Sequence, residues 1–279
     1  MTRIAYPGEP GANSHTACMQ AMPDYEPLPC ATFEDCFAAV ENGDAELAMI
    51  PLENSIAGRV ADIHALMPHS ALSIIGEYFL PISFHLMSVP DASLETIRTV
   101  ESHVMALGQC RNVTRELKLK TQVASDTAGA ARMVSEAKDI TRAAYAPELA
   151  AEIYGLKILR RECQDAAHNT TRFVILSKNE KSARQGGSVM TTFIFRVRNI
   201  PAALYKALGG FSSNGINMTK LESYMVGGEF AATMFYVDVE GHPDDTPLKR
   251  ALEELQFFID EFKILGVYPA HDFRKKFAK

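Results

Sequence analysis

Asn169-Thr170-Thr171-Arg172-Phe173-Val174-Ile175-Leu176 joins an amide, two hydroxyls and a guanidinium to an unbroken apolar run. Residues 173–176 have the bulk and brevity of a buried strand. The polar residues before them therefore mark a strand mouth, the place where α/β proteins bind ligands. A second segment has the same build. Residues 47–50 read as a strand, and Pro51-Leu52-Glu53-Asn54-Ser55-Ile56-Ala57-Gly58 follows it. The two Asn/hydroxyl clusters together suit a small ligand rich in oxygen atoms.

Around these segments strands alternate with helices. Residues 3–6 read as a strand, 13–22 and 33–41 as helices, and 57–67 as a further helix. Residues 71–78 and 82–89 read as long strands, and 99–101 as a short one leading into a helix near Ser102-His103. Residues 122–124 precede an Ala-rich helix that runs from Asp126-Thr127 to 137. Strands at 142–145 and 156–159 flank a helix at 147–154 that has Pro147 in its first turn. This βαβ rhythm predicts a mostly parallel sheet with helices on both faces. Residues 177–188 are polar, lack an apolar period and read as a linker. Beyond them the order is strand 191–197, helix 201–211, strands 216–225 and 230–239 joined by a turn at Gly227-Gly228, helix 247–255 and strand 262–267. That is a βαββαβ unit of ferredoxin-like type. One face of so small a sheet is hard to cover alone, and pairing with a second copy is a natural remedy.

A chain of 279 residues accommodates two or three domains, and 47% hydrophobic with 22% charged residues is ordinary for a soluble globular protein. The net charge of −6 disfavours a nucleic-acid or anionic-membrane surface. The five cysteines are odd in number and lack CxxC spacing, so neither a disulfide framework nor a zinc site is indicated. Reduced, buried thiols in a cytoplasmic protein are expected. Pro7, Gly8 and Pro10 break the N-terminal region, and no signal peptide is visible. The apolar stretch 71–89 is interrupted by Glu77, Pro81 and His85, which fits two strands better than a membrane span. His64 and His69 lack metal-ligand spacing, and there is neither a Gly-x-Gly-x-x-Gly nor a phosphate loop. No metal or nucleotide cofactor is expected.

Small polar residues gather at four junctions: Gly11-Ala12-Asn13-Ser14, Asn54-Ser55, Ser102-His103 and Asp126-Thr127. Any one of them reads equally well as a helix cap. Converging on one cleft, they would receive a dicarboxylate through helix N-termini and hydroxyls, without several lysines. His103 fits a general acid, a ligand or a packed helix-end residue. Glu53 fits an acid or a loop hydrogen bond. Arg172 fits a bidentate carboxylate clamp, or an ion pair with an acid such as Glu162 or Asp165.

Pro51-Leu52-Glu53-Asn54-Ser55 with Gly58 and Val60, then Ser102-His103-Val104-Met105-Ala106-Leu107-Gly108-Gln109-Cys110, then Asn169 with Thr171, Arg172 and Phe173 occur in that order. With Tyr6-Pro7-Gly8 and with Asp126, Thr127, Ala130 and Ala131, they resemble the prephenate dehydratase family. Val104 and Met105 replace the family's Pro-Gln. The βαββαβ unit resembles an ACT regulatory domain. Pro201-Ala202-Ala203-Leu204 stands for its Gly-Ala-Leu-Val, and Glu222-Ser223-Tyr224-Met225 for its Glu-Ser-Arg-Pro.

The resemblance implies an α/β catalytic domain over 1–178 with two lobes, like a type II periplasmic binding protein. Lobe 1 would comprise 1–75 and 163–178, and lobe 2 would comprise 76–162. A linker at 179–189 and an ACT domain at 190–279 would follow. It implies the decarboxylating dehydration of prephenate to phenylpyruvate in L-phenylalanine biosynthesis, a lyase reaction without metal or cofactor. Thr171 would stand closest to the departing oxygen, with Glu53 in the proton relay. Asn13, Ser14, Asn54, Ser55, Ser102, His103, Thr127, Asn169, Thr170, Arg172 and Phe173 would hold the substrate. L-phenylalanine would act as effector between paired ACT domains of a cytoplasmic homodimer or homotetramer. Its contacts would come from Asn199, Ile200, Pro201, Ala202, Ala203, Leu204, Asn217, Met218, Glu222 and Ser223. An arogenate dehydratase, a non-catalytic binding protein and an amino-acid sensor are the alternative readings.

Overall fold

The computed structural model describes residues 2–179, 182–198, 200–225 and 233–276. The chain divides into two compact units: Met1–Ala39, Asp44–Arg59 and Phe79–Phe173 form the first, and Val40–Gly43, Val60–Tyr78 and Val174–Lys279 the second.

The chain opens with β1 (Arg3–Pro7), α1 (Asn13–Ala21), β2 (Glu26–Cys30), α2 (Phe33–Asn42) and β3 (Leu47–Asn54). β1 runs parallel to β2 on one side and to β3 on the other. β3 is buried over Leu47, Ala48, Met49 and Ile50, as a central parallel strand with both faces covered must be. β4 (Gly58–Arg59) folds back on Glu53 and Asn54, and α3 (Ala61–Leu66) follows. The sheet order β2-β1-β3-β11-β5 is completed by β5 (Ser73–Pro81), on which the chain leaves, and β11 (Thr170–Ser177), on which it returns.

Between those strands lies a second sheet of order β10-β6-β9-β7-β8. It consists of β6 (His85–Ser88), β7 (Thr99–Ser102), β8 (Lys120–Val123), β9 (Arg142–Ala146) and β10 (Lys157–Arg160). Its helices are α4 (Val104–Gln109), α5 (Arg111–Glu116), α6 (Thr127–Ala137) and α7 (Glu148–Tyr154). α6 begins where Asp126 accepts the Gly129 N–H at 2.8 Å, and it buries Ala128, Ala130, Ala131 and Val134. Two sheets joined by two crossovers, with the returning strand inserted beside β3, give the type II periplasmic-binding-protein topology that was expected.

The second unit contains β12 (Val189–Val197), α8 (Ala203–Ser213), β13 (Met218–Met225), β14 (Thr233–Glu240), α9 (Thr246–Leu255) and β15 (Ile259–Pro269). The order β13-β14-β12-β15, antiparallel throughout, is ferredoxin-like. Phe193, Phe195, Phe235, Val237 and Val239 meet Phe211, Leu248, Ala251 and Leu255 in its core. Each large side chain buried there contributes roughly 1.5–3 kcal/mol. α3 belongs to this unit as well. The Lys263 ammonium donates to the carbonyls of Met67, Pro68 and Ser70 beyond the end of that helix, at 3.4, 3.0 and 2.7 Å.

Several boundaries differ from the sequence reading. β2 is an unpredicted strand, because Pro27 and Pro29 interrupt its pattern; it lies at a sheet edge, where proline is tolerated. The helix expected over 57–67 shrinks to Ala61–Leu66, since Gly58 and Arg59 pair with β3 instead. The expected turn at Gly227-Gly228 lies outside the described residues. All five cysteines are free, and burial pushes the Cys18, Cys36 and Cys110 thiols up. No helix among the described residues is long and apolar enough to cross a membrane.

Two histidines give the fold a pH dependence. The Gly11 N–H donates to His15 Nδ1 at 3.0 Å, and the Glu162 N–H donates to His85 Nδ1 at 3.1 Å. Both rings serve as neutral acceptors, and burial lowers the pKa of each. The unfolded chain binds those protons near the ordinary histidine value of about 6.5, so acid favours unfolding. Thermal melts are expected to shift downward between about pH 7.5 and 5.5, and less so in His85→Gln, which keeps an acceptor but cannot titrate. Equal slopes for the two proteins would refute this assignment for His85.

Candidate active site

β3 and β11 bring the two polar segments together at their ends. The Asn54 amide is oriented by the chain itself: its Oδ1 accepts the N–H groups of Ile56 and Ala57 at 3.0 and 2.8 Å. Its Nδ2 must then face the other way. It donates to Asn169 Oδ1 at 2.7 Å and to Thr171 Oγ1 at 3.0 Å, which uses both of its hydrogens. Asn169, 2% exposed, is oriented in turn and donates from Nδ2 to Gln109 Oε1 at 2.7 Å. The result is an oriented network in which Asn54 donates to Thr171 on one side and to Asn169 on the other, and Asn169 donates on to Gln109. Because Thr171 Oγ1 already accepts from Asn54, its own proton is left to point at something else.

Ser55 fastens the two strand mouths. Its N–H donates to the Thr170 carbonyl, its hydroxyl donates to the His168 carbonyl, and the same hydroxyl accepts the Thr170 N–H, each at 2.9 Å. Ser55 and Thr170 therefore shape the backbone around the cluster. Arg172 is buried, and its Nη1 lies 3.0 Å from Glu53 Oε1. Of the partners considered for Arg172, neither Glu162 nor Asp165 is the one found. Asp165 instead accepts the N–H groups of Arg111 and Asn112 at the start of α5. Phe173 is 1% exposed and sits in the core run of β11.

At the end of β7 in the second sheet the Ser102 hydroxyl is fully buried and donates to the Tyr145 carbonyl at 2.6 Å. His103 caps α4, its Nδ1 accepting the Met105 N–H at 3.3 Å. Val104 and Met105, which replace Pro-Gln, are exposed in the first turn of that helix. Thr127 opens α6, with Asp126 as the cap. Asn13 opens α1, buried Ser14 follows it, and Asn13 lines a cavity of about 330 Å3 with Thr16, Ser83, His85 and Glu148. The structure thus gathers Asn54, Asn169 and Thr171 into one bonded cluster. The hydroxyl of Ser102 is engaged by the backbone of the neighbouring strand β9, and the ring of His103 by the first turn of α4. Gln109 was missed as a site residue, although it stands in the quoted Ser102–Cys110 segment; its role depends on reaching a partner 60 residues away.

Among the residues proposed to bind an effector, Asn199 lies outside the described residues. Ile200, Pro201 and Ala202 are exposed before α8, and Ala202 adopts φ 62°, a left-handed conformation that favours glycine. Ala203 is buried and Leu204 half-buried in the first turn of α8; Asn217 and Ser223 are exposed, and Met218 is half-buried. Glu222 lies 2.8 Å from Lys220 and 3.5 Å from His64. A cavity of about 610 Å3, lined in part by His64, Tyr224, Met225, Met234 and Phe262, occupies the same unit. Among the described residues, no cluster of His, Cys, Asp and Glu could hold a metal ion.

The family model described as prephenate dehydratase matches residues 4–181. A bifunctional N-acyl-homoserine lactone acylase/prephenate dehydratase of Komagataeibacter europaeus is 52% identical over 274 residues, covering 98% of each chain. The arogenate dehydratase/prephenate dehydratase 1 of Arabidopsis thaliana is 37% identical over 281 residues, covering 96% of this chain and 72% of that protein. Among solved structures, a prephenate dehydratase from Arthrobacter aurescens in complex with L-Phe is 29% identical, with a TM-score of 0.89 over 97% of this chain and 91% of that one.

Proposed function

Because the chain belongs to the prephenate dehydratase family, we propose that it converts prephenate, with one proton, to phenylpyruvate, carbon dioxide and water. The oriented Asn54 amide, which donates to Thr171 and to Asn169, is the observation that carries this reading. Loss of the ring hydroxyl and the ring carboxylate makes the ring aromatic, so the thermodynamic drive lies in the substrate. The barrier lies in expelling hydroxide, which needs a proton donor as the C–O bond breaks. Thr171, with its lone pair engaged by Asn54, presents its hydroxyl hydrogen to that oxygen. A threonine hydroxyl is a weak acid, so the proton is resupplied through Glu53 or water. The C–C bond to the ring carboxylate breaks in the same direction of electron flow and releases carbon dioxide. No metal or redox group has a part in these steps.

Asn54 and Asn169 position Thr171. Asn13, Ser14, His103, Thr127 and Arg172 remain the candidates for holding the two carboxylates through side chains, backbone N–H groups and helix starts, while Ser55, Ser102 and Thr170, bonded to backbone, support the strand ends around them. Phe173 supports β11 from the core. The K. europaeus relative also carries the name of an acylase. The hydroxyls of Ser55 and Ser102 both donate to backbone carbonyls, and burial pushes the Cys18, Cys36 and Cys110 thiols up. None of these five side chains has the geometry of an activated acyl nucleophile, and the dehydratase is the favoured reading.

Domain limits of 1–178, 179–189 and 190–279 follow from this assignment, with the last segment acting as an ACT domain. L-Phenylalanine would bind there, near the start of α8 and along β13, and bias lobe closure by its differential affinity for two states. β13 is an edge strand with Leu221 and Met225 exposed, which supports pairing of two copies along it in a cytoplasmic homodimer or a tetramer built from one. The test is formation of phenylpyruvate from prephenate, with arogenate assayed alongside, in the presence and absence of L-phenylalanine. Turnover of arogenate alone would overturn the substrate, and no turnover of either would overturn the reaction. Absence of phenylalanine binding at millimolar levels in equilibrium dialysis would remove the effector.

A further inference from the structure

The loop between β1 and α1 leaves a strand of the first sheet, yet it is seated on helices that pack on the second. α6 packs on β7 and β9, and α7 on β10, so both helices move with the second sheet. The Glu9 carboxylate meets the Arg132 guanidinium of α6 in a two-point fork, Oε2 to Nε at 2.6 Å and Oε1 to Nη2 at 2.9 Å. The remaining arm of Arg132 is held by Glu136 at 3.0 Å. The Tyr154 hydroxyl at the end of α7 donates to the Pro10 carbonyl at 2.8 Å.

Two glycines make the seat possible. Gly11, at φ 91°, lies so close to α7 that a Cβ would fall 2.8 Å from Ala150 Cα. Gly129 in α6 leaves room for Glu9, whose Oε1 would be 3.2 Å from a Cβ there. An isolated, half-exposed ion pair is worth little. This one is forked, braced on its far side and flanked by a hydrogen bond and close backbone packing, all within three successive residues of one loop, Glu9 to Gly11. The arginine holds the Glu9 carboxyl below the ordinary range, so the pair is charged at neutral pH.

We propose that Glu9 and Arg132 are positioning residues that latch the two lobes together, fixing the distance between the start of α1 and the start of α6. Glu9 lies four residues before Asn13, and Arg132 lies five residues after Thr127. These are the carboxylate-holding candidates of opposite lobes, so the functional consequence rests on the reading of the reaction given above. The reacting cluster of Asn54, Asn169 and Thr171 does not touch the latch, so breaking the latch should weaken substrate capture and leave the chemical step unchanged.

The experiment compares the full-length wild type, Glu9→Gln, Arg132→Glu and the charge-swapped Glu9→Arg/Arg132→Glu protein. For prephenate, Glu9→Gln is expected to raise KM by about fivefold or more, with kcat within about twofold, and the swap to recover most of the loss suffered by Arg132→Glu. Amide hydrogen exchange supplies a readout that needs no substrate. Exchange over 8–12 should quicken in Glu9→Gln and Arg132→Glu and slow again in the swap. If the wild type fails to turn over prephenate while exchange behaves as stated, the reaction is wrong and the latch stands. Unchanged exchange in both single variants, or a swap no better than Arg132→Glu in exchange, overturns the latch. An unchanged KM alongside altered exchange overturns its role in capture.

Discussion

Thr171→Ala is expected to lower kcat for prephenate by about 10²–10⁴-fold, the range for loss of a positioned proton donor, with KM little changed. The expectation rests on orientation. Asn54 Oδ1 is held by two backbone N–H groups, which turns its Nδ2 onto Thr171 Oγ1 and frees the threonine hydrogen. Thr171→Ser keeps the hydroxyl and should retain most of the rate, whereas Thr171→Val keeps the shape and should fail like alanine. Asn54→Ala removes the donor that orients Thr171, and should cost about a hundredfold in kcat by letting that hydroxyl rotate. Steady-state kinetics on the four proteins decide the matter. A drop of under about tenfold in the alanine variant would exclude Thr171 as the donor.

The largest effect on stability is expected at Arg274. Glu77 on β5 has a fully buried carboxylate. It accepts from Arg274 Nε at 2.6 Å and Nη2 at 2.8 Å, and from the His271 N–H at 3.1 Å. These bonds tie the C-terminal turn (Asp272–Lys276) to β5 within the second unit. Taking away the arginine removes two charged hydrogen bonds from a fully buried carboxylate, and breaking a buried pair in this way costs about 3–5 kcal/mol, far more than the intact pair contributes over an uncharged pair of similar shape. Arg274→Ala should therefore lower the denaturation midpoint sharply. Arg274→Ala with Glu77→Gln should recover part of the loss, because the buried group is then uncharged. A single variant that unfolds like the wild type, or a double variant worse than the single, would contradict this account.

Much of the architecture was legible because it depends on local pattern. The run Phe173-Val174-Ile175-Leu176 can hardly be anything but a buried strand, and it is one. Asp126 caps α6 as its type and position suggest. The βαββαβ order after residue 188 follows from periodicity, and the antiparallel four-stranded sheet agrees with it. Where local pattern misleads, a neighbour is responsible. β2 carries two prolines that argue against a strand, and it exists because β1 offers an edge to pair with. The segment after Asn54 has helical spacing, yet its first residues fold back onto β3.

The sequence by itself determined the inventory of the site: amides, hydroxyls and one arginine at two strand mouths, arranged in an order specific enough to identify a family. Only the tertiary structure decided which of them act together. Asn54 and Thr171 are separated by 117 positions, and their hydrogen bond exists because β11 returns to the sheet that holds β3. Ser102 looks as available as Thr171 in one dimension, but its hydroxyl is spent on the Tyr145 carbonyl. The reason is physical. Hydrogen bonds depend on distance and direction, which a residue's type leaves open, whereas hydrophobic periodicity and capping act over a few neighbours and are written along the chain.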